Sequence, residues 1–168
     1  MARIYIGFSK AKGFKPYGWA IQKLLSTPFS HVYVKFYSKS YDRDIIYQAS
    51  SSMVNFMSPA IVNRDHVMIE EFEFKVSDET MTQVVQFAID HAGIPYGFKA
   101  AVGMGIVRIC DLFGYKRSNP FKDDGNTYVC SELAGAILVE CLGEKLPVEL
   151  DDLSPLEMYN YLKSTKKS

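Results

Sequence analysis

The sequence predicts an α+β domain: a small antiparallel sheet or partial barrel from the first half of the chain, packed against helices mostly from the second. Three observations carry this. Between Arg3 and Lys75, apolar and polar residues alternate in short runs, the pattern of half-buried strands. From Ser77 onward the apolar spacing changes to that of amphipathic helices. Hydrophobic residues make up 48% of the 168 residues and aromatics 14%, enough for one packed core, so residues 1–168 read as a single domain.

Arg3 to Phe8 is the first predicted strand, followed by a basic, glycine-bearing loop from Lys10 to Gly18. Trp19, Ile21, Leu24 and Leu25 have helical spacing, and Thr27-Pro28 ends that helix. His31 to Tyr37 alternates, with Val32, Val34 and Phe36 on one face and His31, Tyr33, Lys35 and Tyr37 on the other. After turn-forming residues 38–42 comes a strand at Ile45–Ala49, then a further one at Met53–Met57. Met68 to Lys75 alternates again, with Met68, Phe72 and Phe74 on one side. His66 reads as a loop residue. Ser77 caps a helix running to about Ala92, with Asp78 and Glu79 in its first turn and Gly93 as its stop. Residues 94–115 are apolar, glycine-rich and partly helical. Lys122–Asn126 is a loop. Ser131–Leu142 is a helix stopped by Gly143. Ser154-Pro155-Leu156-Glu157 is a capping box that opens a last helix to about Lys163, before a solvated tail.

Several function classes lose support. Lys plus Arg and Asp plus Glu balance at 19 each, where a duplex-DNA binder carries a basic excess, so no nucleic-acid partner is expected. No apolar run approaches the ~20 residues of a membrane span, and the N-terminal run is too short for a signal peptide. With three free-looking cysteines, this favours the cytoplasm. Gly-x-Ser-x-Gly, phosphate-loop, Gly-x-Gly-x-x-Gly, Cys-x-x-Cys and His-Glu-x-x-His patterns are absent, so no metal or organic cofactor is expected. Asp123–Asn126 lacks the spacing and closing glutamate of a calcium loop. Cys130 and Cys141 would lie ~16 Å apart along one helix, too far to bridge or to share a metal.

Cys130 precedes an apolar-periodic helix within Tyr128-Val129-Cys130-Ser131-Glu132-Leu133. There the helix dipole and free N–H groups stabilise a thiolate and can donate to an oxyanion. The plainer alternative is a buried structural cysteine. A nucleophilic cysteine needs a base. Of three histidines, His31 begins a strand, on its less apolar face. If the flanking strands pair about Lys39–Ser40, His31 stands opposite Gln48, with Cβ atoms ~4.5–5.5 Å apart. Gln48 can then hold the imidazole in one tautomer; an ordinary sheet with a stray polar pair is the other reading.

These segments together, Ser30-His31-Val32, then Tyr47-Gln48-Ala49, then Cys130-Ser131-Glu132-Leu133, resemble the circularly permuted papain-like cysteine hydrolases of the NlpC type. That group includes YiiX/YebB-like proteins and is related to the lecithin:retinol acyltransferases. Pro95-Tyr96-Gly97 and Leu153-Ser154-Pro155 extend the resemblance over roughly residues 1–160. It implies a permuted papain-like fold and a cysteine peptidase or amidase. Cys130 would be the nucleophile, His31 the general base and acid, and Gln48 the third polar residue. Two features depart from the family. Arg3–Phe8 replaces a Pro-Gly-Asp segment, and the third residue is glutamine where relatives often have Glu or His.

The resulting expectation is hydrolysis of an amide, ester or thioester through an acyl-enzyme. Peptides, peptidoglycan stems and lipid acyl groups all occur among the substrates of the relatives. Residues 94–113 with Lys10, Lys12 and Lys15 suggest an acyl-binding or membrane-surface site, or else a core segment and a solvated loop. A non-catalytic lipid- or protein-binding module and a lipid acyltransferase are the alternatives. Normal, slow thiol reactivity at Cys130 would favour the binding module.

Overall fold

The structure is a computed structural model and describes residues 1–50, 52–115, 117–121 and 126–165. Positions 122–125 of the predicted loop, with most of the calcium-like segment, and the Lys-Lys-Ser end of the tail lie outside the described residues.

Among the described residues, β1 (Ala2–Ala11), β2 (His31–Ser38), β3 (Arg43–Ser50), β4 (Met53–Met57) and β5 (His66–Val76) form one antiparallel sheet. Its order is β4-β3-β2-β1-β5. Alternation sorts the side chains as the sequence predicts. Ile4, Ile6, Phe8, Val32, Val34 and Phe36 are all buried in one core. Against that face pack α3 (Asp78–Asp90), α5 (Cys130–Ala136) and α6 (Pro155–Thr165), through Val84, Phe87, Leu133, Met158 and Leu162.

The opposite face carries a smaller core of Tyr33, Ile46 and Val62. Val62 belongs to α2 (Pro59–Asp65), a helix absent from the sequence-based assignment. Its start signal is present: Ser58 accepts from the Ile61 N–H, and Pro59 fills the first helical position. Met68 is a second correction. It packs on this smaller core, away from Phe72 and Phe74. The β1–β5 register jumps from Phe8–Glu70 to Ser9–Met68, so Ile69 is an extra residue. Such a bulge turns the following side chains to the other face.

Tyr33 lies across Gly7 on that second face. A Cβ built on Gly7 would stand 2.0 Å from the Tyr33 Cζ. The tyrosine hydroxyl donates to Glu71 at 2.7 Å.

The other helices follow the sequence closely. α1 (Pro16–Leu25) starts earlier than its apolar spacing suggests, with Pro16 in its first turn. The Ser77 Oγ accepts from the Thr80 N–H at 3.1 Å and opens α3. α4 (Phe98–Leu112) occupies the glycine-rich segment. α5 runs into a π-helical turn over Ile137–Cys141, where a regular helix was expected; the Leu142 N–H reaches back to the Ile137 carbonyl. The capping box of α6 is reciprocal. The Ser154 N–H donates to Glu157 Oε2 at 2.7 Å, and the Glu157 N–H to Ser154 Oγ at 3.3 Å. Ser154→Ala should lower stability by about 1 kcal/mol and Tm by roughly 2–4 °C. An unchanged melting curve would show that the cap contributes nothing.

Candidate active site

The site is built where β2 and β3 part. Their ladder runs from Ser38–Arg43 to Val34–Tyr47 and goes no further. The register differs from the expected one by two residues, since Val34 faces Tyr47 rather than Ile45. The turn accounts for this: it spans residues 39–42, with Asp42 at φ +50°. Gln48 is therefore diagonal to His31 instead of opposite. An offset of two preserves the face, because side chains alternate with period two. Diagonal neighbours stay within reach of long side chains. His31 Nε2 and Gln48 Oε1 are 2.8 Å apart.

This contact fixes the imidazole. The Gln48 amide nitrogen donates to Met57 Sδ at 3.0 Å, which leaves its carbonyl oxygen as the acceptor. His31 must then carry its proton on Nε2, leaving the Nδ1 lone pair free to take another. Burial opposes the charged form most strongly and pushes His31 down from 6.5 to about 4, against the Gln48 hydrogen bond, which favours it. At neutral pH His31 is an uncharged base. The His66 ring lies 5.7 Å from that of His31, and its positive form would also disfavour the imidazolium. His66 is the first residue of β5, paired with Ala11, and not in a loop.

Cys130 enters from the far end of the chain, as the first residue of α5. α5 packs on β2 and β3. The Glu132 carboxylate accepts from the Val129 N–H at 2.9 Å and holds the turn into the helix. The backbone N–H groups of Val32, Ser131 and Cys130 itself act on the sulfur and favour the thiolate. Val32 follows His31 directly, so the Cys130 sulfur meets the β2 backbone one residue from His31. The expected depression of the thiol pKa is not met. Burial is the largest effect on the buried Cys130 and raises it from 9 to about 11, beyond what the N–H groups offset. The resting pair is thiol and neutral imidazole. All three cysteine thiols are free.

An apolar groove of about 190 Å³ is lined in part by Cys130. Cys130 and Ser131 of α5, Ile21 and Leu24 of α1, and Val102 and Met104 of α4 all line it. A Cβ on Gly105 would stand 3.5 Å from Leu24 Cδ2, an ordinary contact, so α1 and α4 lie close at that point. The Ser131 hydroxyl is buried without a hydrogen-bond partner.

A scan against protein-family models matches none to this chain, and no curated protein matches it. Among the described residues, no group of three or more His, Cys, Asp or Glu is placed to hold a metal ion. None of the described helices is long and apolar enough to cross a membrane.

The structure joins His31 to Gln48 and sets Cys130 against the backbone of Val32, the next residue along β2. Met57 and His66 were not anticipated. Locating them needed the β3–β4 pairing and α2, and only the Ser58-Pro59 cap signalled the helix.

The two shifts define a pH window for stability. Between pH 6.5 and about 4 the unfolded chain binds a proton at position 31 that the folded chain refuses, so stability falls as pH drops through this range. His66, also lowered mainly by burial, adds to that limb. Between pH 9 and about 11 the folded chain keeps a thiol proton that the unfolded chain has lost, so stability falls as pH rises. Denaturant melts should peak between these limbs, and Cys130→Ala should flatten the alkaline one. An unaltered alkaline slope in that variant would show that Cys130 does not titrate as described.

Proposed function

We propose that this chain is a cysteine-dependent acyl hydrolase, of permuted papain-like architecture, that cleaves an ester, thioester or amide whose acyl part is apolar. The observation that carries the reading is a thiol that lines an apolar groove and meets the β2 backbone one residue from His31, whose imidazole Gln48 holds in its Nε2–H tautomer. His31 Nδ1 takes the thiol proton as the sulfur adds to the carbonyl carbon. The resulting oxyanion draws on N–H groups at the start of α5. Collapse breaks the bond to the leaving group, which departs with the proton from His31. Water then adds to the thioester, giving its proton to His31; the carboxylic acid leaves and the sulfur regains its proton. A neutral resting pair suits this route, since the proton moves only when the acyl group is present.

The apolar groove favours an acyl chain over charged peptidoglycan stems. The decisive experiment incubates the protein with p-nitrophenyl esters of graded chain length and measures both turnover and intact mass. The expected result is acylation at Cys130 that strengthens with chain length and is absent in Cys130→Ala. Turnover unaffected by Cys130→Ala would overturn the reading.

One observation favours a non-catalytic binding module: the thiol is buried and raised to about 11. That module would take up an acyl chain without ever forming the thioester. An acyltransferase would form the thioester and pass it to an added amine or alcohol in preference to water.

A further inference from the structure

α4 presents an apolar face that the rest of the fold leaves bare. Phe98, Val102, Ile106, Ile109, Leu112 and Phe113 are all exposed, Leu112 at 66% and Phe113 at 76%. At 3.6 residues per turn, with Phe113 just past the helix end, they fall within an arc of about 120°. Lys99 and Arg108 border that arc, and Asp111 lies on the opposite side. Val102 belongs both to this stripe and to the groove wall, so the stripe continues into the groove.

The other lip is α1 and the loop before it. Ala20 is exposed and also lines the groove. Next to it Trp19, 51% exposed, lies 6.3 Å centroid to centroid from Phe14, 74% exposed. Lys10, Lys12 and Lys15 surround this aromatic pair in a second hollow. Asp65 is the acid facing Lys15, and the Lys12 ammonium donates to the Asn63 carbonyl. No Asp or Glu occurs before Asp42, although the whole chain is charge-balanced. An apolar stripe, paired aromatics and lysines around one groove mouth match the layering of a bilayer surface: apolar groups in the acyl boundary, aromatics at headgroup depth, lysines against anionic headgroups.

We propose that the α1 and α4 lips seat this protein on an anionic lipid surface, with the groove opening toward the membrane. None of Cys130, His31 or Gln48 takes part, so the proposal stands whether or not the chain turns over acyl groups.

Trp19 is the sole tryptophan and reports on its own burial. Mixing the full chain with phosphatidylcholine vesicles containing phosphatidylglycerol should shift its emission to the blue and carry the protein into the vesicle pellet. Pure phosphatidylcholine should do so weakly, and added salt should reverse it. Leu112→Glu with Phe113→Glu should abolish pelleting, and these exposed positions leave the fold intact. As a second variant, Lys10→Glu with Lys15→Glu should weaken partitioning by roughly fivefold or more per lysine. Cys130→Ala should bind as the parent does. Failure to pellet with anionic vesicles, or pelleting that both double variants leave unchanged, would overturn the proposal. So would a concentration-dependent dimer lost in the Leu112/Phe113 variant, which would assign the stripe to a second copy.

Discussion

Cys130→Ala should abolish acyl transfer, with turnover of a chromogenic ester falling by about 10³-fold or more. The position is buried and tolerates a small apolar side chain, so the variant should fold and keep its far-ultraviolet spectrum. His31→Ala should cost a similar factor. The double variant should be little worse than either single one, because residues that act as a unit are not additive. Gln48 is a finer probe. Gln48→Ala frees the imidazole to adopt either tautomer and should lower turnover by less, within about 10². Gln48→Glu places a carboxylate on Nε2, which favours the imidazolium and raises the His31 pKa from about 4. The acid limb of the rate profile should therefore move upward in that variant. A limb that stays in place would show that His31 is not the group titrating.

Gly7→Ala should be the most damaging single methyl addition in the sheet. Its Cβ would meet the Tyr33 ring at 2.0 Å, and that ring has no free direction in which to move. Tyr33 is 1% exposed, packed with Ile46 and Val62, and tethered to Glu71 through its hydroxyl. Overpacking of this kind costs about 1–3 kcal/mol, occasionally more. Chemical denaturation measures it directly. In a Tyr33→Ala background the added methyl should cost far less, and the double-mutant cycle should show strong coupling. Equal costs in both backgrounds would locate the strain elsewhere.

The sheet was legible in the sequence because Ile4–Phe8, Val32–Phe36 and Phe72–Phe74 alternate without interruption. The caps at Ser77 and Ser154 were legible because they depend on neighbours a few residues away. What failed depended on events outside the local pattern. The extra residue Ile69 reversed the face of Met68, and only the partner strand reveals it. The length of the 39–42 turn set the register two residues from the expected one. The His31–Gln48 contact survived that error because two is even; an offset of one would have sent Gln48 to the opposite face. Position at the helix start is written in the spacing around Cys130, whereas the desolvation that outweighs it comes from the core in which Cys130 is buried.

The strand order has a consequence for how the protein is made. β1 through β5 are complete by Val76, so His31, Gln48 and Met57 are all synthesised well before the helix that carries Cys130. The thiol arrives only with residue 130, carried by a helix that packs on β2 and β3. On the proposed reading, base and nucleophile meet only when α5 docks on β2 and β3, so a chain cut before residue 130 should take up no acyl group.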